Sequence, residues 1–215
     1  MTQKENSSMF IKYVLVFLIF FLLGIALSYL LLYKEKKNVY LQLLSGLCSG
    51  GMAAYFLQKG VAVAGFFGIF SCVLIIISFI DFRTQNIPDK LQYFLLFPAM
   101  GLALLDGTGF MNHLIGFMIG GGVMALIYWL GLFVLKRETL GLGDVKLMAV
   151  IGLAVGIFGI GVTLFLSFFL ALPFVFYNRK NEPGEVAFAA YISAATILTV
   201  LFSDVLIGWI TSFVL

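Results

Sequence analysis

Long apolar runs separated by short charged or polar segments set the rhythm of this chain. Reading runs against breaks gives apolar segments at about residues 9–33, 39–57, 61–80, 91–105, 113–135, 145–158, 160–177 and 186–213. None shows the period-two alternation of a half-buried strand. At about 1.5 Å of rise per residue, roughly 20 apolar residues of helix cross a hydrocarbon layer of about 30 Å. The pattern therefore predicts an all-α polytopic membrane protein with about eight transmembrane helices. A transmembrane β-barrel is excluded, because its lipid-facing and lumen-facing residues alternate along short segments. The first run, Tyr13 to Leu32, is longer than a signal-peptide core and lacks a small-residue cleavage site, so it reads as a retained first span.

Composition strengthens this picture. Of 215 residues, 62% are hydrophobic, too many to hide in one water-soluble core. Glycines recur four apart at Gly46/Gly50, Gly116/Gly120 and Gly152/Gly156. That spacing clears one helix face and lets backbones approach, the device by which helices pack where lipid supplies no hydrophobic drive.

Charge sets orientation. Lys34, Lys36, Lys37, Arg83, Lys90, Lys136, Arg137, Lys146, Arg179 and Lys180 fall in or beside alternate connections, whereas Lys4, Lys12 and Lys59 fall on the other side. The positive-inside tendency puts the first group in the cytoplasm and both termini on the outer face. The net charge of +3 is thus explained by topology, and no nucleic-acid partner is expected. Residues 1–38 read as an anchor helix with a short cytoplasmic loop, and residues 39–215 as the working transmembrane domain.

Cys48 and Cys72 each lie inside an apolar run, away from any second Cys or His at ligand spacing. They read as small hydrophobes, with no metal or other cofactor expected. Most acidic residues are loop charges: Glu5, Glu35, Glu138 and Glu182 lie in polar segments. Two are different. Asp81 follows directly on the run Val73–Ile80, and Asp144 opens a later apolar helix after Gly141-Leu142-Gly143. Ionisable groups at membrane depth are costly and usually functional.

By the alternating topology, the two aspartates share the cytoplasmic face, while His113 falls on the outer side. Two carboxyls meeting in a poorly solvated site share a proton, so that one acts as acid while the other activates water. The bland reading is that Asp144 and Asp89 merely cap the helices that follow them.

The segments Asp81-Phe82-Arg83-Thr84-Gln85-Asn86-Ile87-Pro88-Asp89 and Gly141-Leu142-Gly143-Asp144-Val145-Lys146-Leu147 together resemble the type IV prepilin peptidases and their archaeal preflagellin peptidase relatives. These are Gly-x-Gly-Asp membrane aspartic proteases. The resemblance implies that Asp81 and Asp144 are catalytic, with Arg83, Ile87, Pro88, Asp89, Gly141, Gly143 and Lys146 as supporting motif residues.

Gly141 and Gly143 permit close approach and unusual dihedrals, Pro88 ends the loop, and Arg83 and Lys146 either act on a carboxylate or face lipid phosphates. The stretch Glu185–Ala194 is similar to a later family segment, but Phe188-Ala189-Ala190-Tyr191 departs from it and is assigned no catalytic role. The resemblance implies prepilin or pseudopilin precursors as substrates, with a basic leader and an apolar helix. It also implies location in the cytoplasmic membrane. The connection at about residues 34–38 has no cysteine-rich region of the kind associated with N-methylation, so cleavage alone is expected.

Two other readings stay open. A presenilin- or signal-peptide-peptidase-like enzyme would cut inside a membrane helix, and a transporter would use the two aspartates to bind a proton or cation. Ile87-Pro88-Asp89 argues against the first.

Overall fold

The computed structural model describes residues 3–31, 39–136, 140–181 and 187–214. They form helices α1 (Gln3–Leu31), α2 (Val39–Phe56), α3 (Val61–Thr84), α4 (Asp89–Leu105), α5 (Phe110–Leu130), α6 (Leu142–Asn181) and α7 (Phe188–Val214). A short 3-10 turn, Leu57–Lys59, follows α2, and a π-helical turn, Gly131–Leu135, extends α5. Among the described residues there is no strand, so the chain is an all-α membrane protein. Met9–Leu30, Val61–Thr84, Phe110–Val134 and Leu142–Val175 are each long and apolar enough to cross a membrane. The loop charges Lys34, Lys36, Lys37, Arg137, Glu138 and Glu182 lie outside the described residues.

α3 is the hub of the bundle. Every residue from Phe70 to Ile77 is buried, as befits a helix that is apolar on all faces, and α3 packs against α1, α2, α4 and α7. α1, in contrast, leaves Phe10, Leu22 and Leu30 exposed along its length, as a lipid-facing helix should. The glycine spacing marks packing faces as expected. A Cβ on Gly46 would lie 2.8 Å from the Phe21 carbonyl oxygen of α1, and one on Gly50 would lie 2.8 Å from that of Phe17. Gly116 and Gly152 bring α5 and α6 into backbone contact in the same way.

α6 is not one rod. Its apolar stretch of 34 residues would measure about 50 Å if straight, well beyond a bilayer core. Gly156, at φ 71° and ψ −174°, breaks it. That backbone region is open essentially to glycine alone. Gly120 of α5 lies against the Met148 carbonyl on one side of the break and against the Ile160 side chain on the other. The chain therefore doubles back at Gly156, giving arms at residues 142–155 and 157–181, close to the two segments read from the sequence.

A break strands backbone groups, and these are satisfied from α5. The Leu153 carbonyl receives His113 Nδ1 at 2.9 Å, and the Ile157 N–H donates to Asn112 Oδ1 at 3.3 Å. In an unbroken helix those two groups would bond each other. His113 Nε2 in turn faces Asp106 Oδ2 at 2.9 Å, and Thr108 also bonds that carboxylate. Partial burial works to raise the Asp106 carboxyl, but the hydrogen bonds from Thr108 and His113 and the His113 charge outweigh it and hold it below the ordinary carboxylate range.

Candidate active site

α3 does not end at Ile80, as its apolar run suggests, but continues to Thr84, where Gln85 caps it in the left-handed conformation. Asp81 therefore lies inside the last turn, only 5% exposed, facing the bundle. Its Oδ2 accepts the Ala189 N–H at 3.0 Å. Ala189 belongs to the first turn of α7, where N–H groups have no intrahelical partner and the helix dipole is positive. The Asp81 side chain thus caps a helix that is distant in sequence.

Asp144 is the third residue of α6, not the residue before it, so it is not an N-cap. Its own N–H reaches the Gly141 carbonyl at 3.1 Å, and the Gly141 backbone amide faces its carboxyl, which reaches back as the acid of a capping box does. The other oxygen, Oδ1, is buried with no partner among the described residues. Asp144 is 7% exposed, and it is close enough to Asp81 for the charge of one to act on the other. The two buried aspartates lie within electrostatic reach of each other.

Three contacts tie α4 and the loop before it to the start of α6. Ile87, buried in the loop before α4, packs on Gly143: a Cβ built there would lie 3.2 Å from Ile87 Cβ and Cδ1. Gln92 Nε2 donates to the Gly143 carbonyl at 2.8 Å. Lys146 Nζ meets Asp89 Oδ1 at 2.7 Å, an ion pair open to solvent.

The supporting residues need correction on several points. Asp89 does not cap α4: the N-cap is Pro88, with no side-chain capping bond, and the Asp89 carboxylate is turned to Lys146. Lys146 is accordingly occupied there. Arg83 lies over the Phe79 ring at 4.5 Å. Gly141 and Gly143 are absent from the positive-φ glycines, so Gly143 serves close approach and not an unusual dihedral. The stretch that holds Ala189 was assigned no role, and Gln92 was missed. A backbone donor leaves no residue signature, and Gln92 looks like any polar residue in a first turn.

A cavity of about 440 Å³ lies between the end of α3, α6 and the start of α7, lined by Phe82, Gln85, Phe174, Ala187, Ala190, Tyr191 and Ala194. The face of α7 next to the Asp81 contact is therefore small-residued and mostly apolar.

The family model described as the type IV leader peptidase family matches residues 68–176, just over half of the chain and inclusive of both aspartates. The chain belongs to the type IV leader peptidase family. Among curated proteins it is similar to prepilin leader peptidase/N-methyltransferases. That of Aeromonas hydrophila is 28% identical over 142 residues, covering 64% of this chain and 49% of the relative. That of Escherichia coli (strain K12) is 38% identical over 93 residues, covering 42% and 40%. That of Dichelobacter nodosus is 30% identical over 139 residues, covering 64% and 49%. The chain spans about half the length of these curated relatives. No solved structure matches it.

Proposed function

We propose that this leader peptidase family member is a membrane aspartic endopeptidase that removes the short basic leader of type IV prepilin-like or pseudopilin precursors, with Asp81 and Asp144 as the catalytic pair. The observation that supports the reading is a pair of buried aspartates, more than 60 residues apart in sequence, within electrostatic reach of each other. In the proposed reaction the ionised carboxylate takes a proton from water. The water oxygen attacks the scissile carbonyl carbon, and the other carboxyl gives its proton to the carbonyl oxygen. Collapse of the tetrahedral adduct breaks the C–N bond, and the amine leaves with a proton from the pair.

Arg83, Lys90, Lys136 and Lys146 belong to helix ends and connections on the side of the molecule that carries the two aspartates. By the positive-inside tendency this supports an active site at the cytoplasmic face of the inner membrane, with eight spans if each arm of α6 crosses and both termini outside. The relatives' names pair peptidase with N-methyltransferase; the proposal covers cleavage only.

The test is leader removal from a prepilin-like precursor by the purified protein, with Asp81→Asn and Asp144→Asn alongside. Each variant should lose about 10²- to 10⁴-fold of the rate, as expected for removal of an acid–base group. Normal processing by both variants would sink the mechanism. Cleavage confined to the interior of the apolar segment would favour the presenilin-like alternative, and pH-driven ion flux without products would favour transport.

A further inference from the structure

Gln92 is 3% exposed, in the first turn of α4, among apolar neighbours that include Leu91 and Leu95. One end of its amide is committed: Nε2 donates to the Gly143 carbonyl at 2.8 Å. The other end, Oε1, is buried and has no partner among the described residues. A leucine would pack in such a place without leaving a buried acceptor unpaired, so the amide is not explained by packing. What it holds explains it better. The Gly143 carbonyl belongs to the peptide that joins Gly143 to Asp144, and Gly143 has no side chain with which to fix that peptide itself.

We infer that Gln92 is a positioning residue for cleavage: by donating to the Gly143 carbonyl it fixes the peptide plane that carries Asp144 and so sets the approach of that carboxyl to Asp81. Ile87 presses on the same residue, but an apolar contact limits distance without fixing rotation, whereas a hydrogen bond to a carbonyl is directional. The Asp89–Lys146 pair is solvent-exposed and restrains two flexible side chains one turn away. Gln92 is therefore the buried, directional tie between α4 and the peptide next to Asp144. The inference rests on the proposed catalytic pair, and it adds a residue outside both motif segments.

The experiment compares kcat and KM for leader cleavage in folded, detergent-purified wild type, Gln92→Leu and Gln92→Glu. Q92L keeps the volume and removes the donor. Its kcat should fall about ten- to a hundredfold with KM unchanged, the scale of a small misplacement of a reacting group. Q92E is isosteric but donates only while its carboxyl holds a proton, so its rate relative to wild type should rise as pH falls. A merely structural role would lower the yield of folded protein or its melting temperature and leave kcat per folded molecule unchanged.

Wild-type kcat in Q92L, or a Q92E rate whose ratio to wild type is flat with pH, would overturn the assignment. Asp144→Asn checks the underlying reading separately. If D144N cleaves normally, there is no catalytic carboxyl for Gln92 to position and both claims fall. If D144N is dead while Q92L is normal, only the inference about Gln92 falls.

Discussion

The Asp81 carboxylate accepts the backbone N–H of Ala189 at 3.0 Å, tying the last turn of α3 to the first turn of α7 across more than 100 residues of chain. Replacing Ala189 by proline removes this donor at a first-turn position where proline is tolerated. A189P should cut leader cleavage about ten- to a hundredfold, the rate equivalent of one hydrogen bond to a charged group. A189G keeps the donor and should cleave near the wild-type rate. The measurement is initial rate on a fixed precursor, and equal rates for the two variants would contradict the role given to this contact.

Gly143 should accept a side chain only at a cost. Alanine there puts a Cβ 3.2 Å from Ile87 Cβ and Cδ1, so either the loop before α4 or the start of α6 must move. G143A should lose activity about tenfold or more. Ile87→Ala removes the Cδ1 and Cγ1 contacts but leaves Cβ, so the double variant should recover part of the loss. A strictly additive double mutant would show that the two residues do not act through this contact.

Asp89 offers a contrast with Asp81 and Asp144. Its ion pair with Lys146 is exposed on both sides, the kind of pair that contributes little and is screened by salt. D89N should keep most of the cleavage rate, and its modest deficit should shrink as salt is raised. A loss comparable to that of D144N would place Asp89 in the chemistry.

Gly156→Ala should destabilise the protein whatever space is available, because φ 71° with ψ −174° is closed to residues with a Cβ. The expected cost is about 1–3 kcal/mol. Asn112 Nδ2 would also lie 2.5 Å from the new Cβ. Thermal unfolding in detergent reads the loss, and an unchanged melting temperature would mean that the break is not held in this conformation.

The Asp106 carboxyl, held below its ordinary range by Thr108 and His113, adds stability in one pH direction only. A depressed carboxylate stabilises the fold above its unfolded pKa, near 3.9, and the benefit fades as pH falls through the folded value. The stability difference between wild type and Asp106→Asn should therefore shrink as pH falls below about 4. Denaturation of both proteins across that range checks it, and a difference growing on acidification would reverse the sign.

Nearly every helix was legible in the apolar rhythm because lipid enforces one rule, continuous apolar residues, at every span. Asp81 and Asp144 were legible for the same reason turned round: a carboxylate beside such a run stands out. The misreadings come from physics the rule does not contain. The last turn of α3 is polar yet helical, so hydropathy ended it at Ile80 while the hydrogen bonds ran on to Gln85. Asp89 looked like a cap because aspartate favours caps, but Pro88 already held the N-cap position and the carboxylate was free to reach Lys146. The role of Ala189, in a stretch set aside, and that of Gln92 were not legible because each acts through, or upon, backbone, which every residue shares.

The fold-back at Gly156 bears on how the protein is made. The arm from Leu142 to Val155 is about 21 Å long, too short to span a bilayer of about 30 Å unaided. A translocating machinery meeting it alone would find a marginal segment opening with an acid. Only when the second arm has emerged from the ribosome is there an apolar hairpin of ordinary length to insert, with α5 already present to receive it. Asp144 should accordingly enter the bundle late, as a passenger of the residues that follow Gly156, so truncations between the two arms should fail at membrane integration before they fail at catalysis.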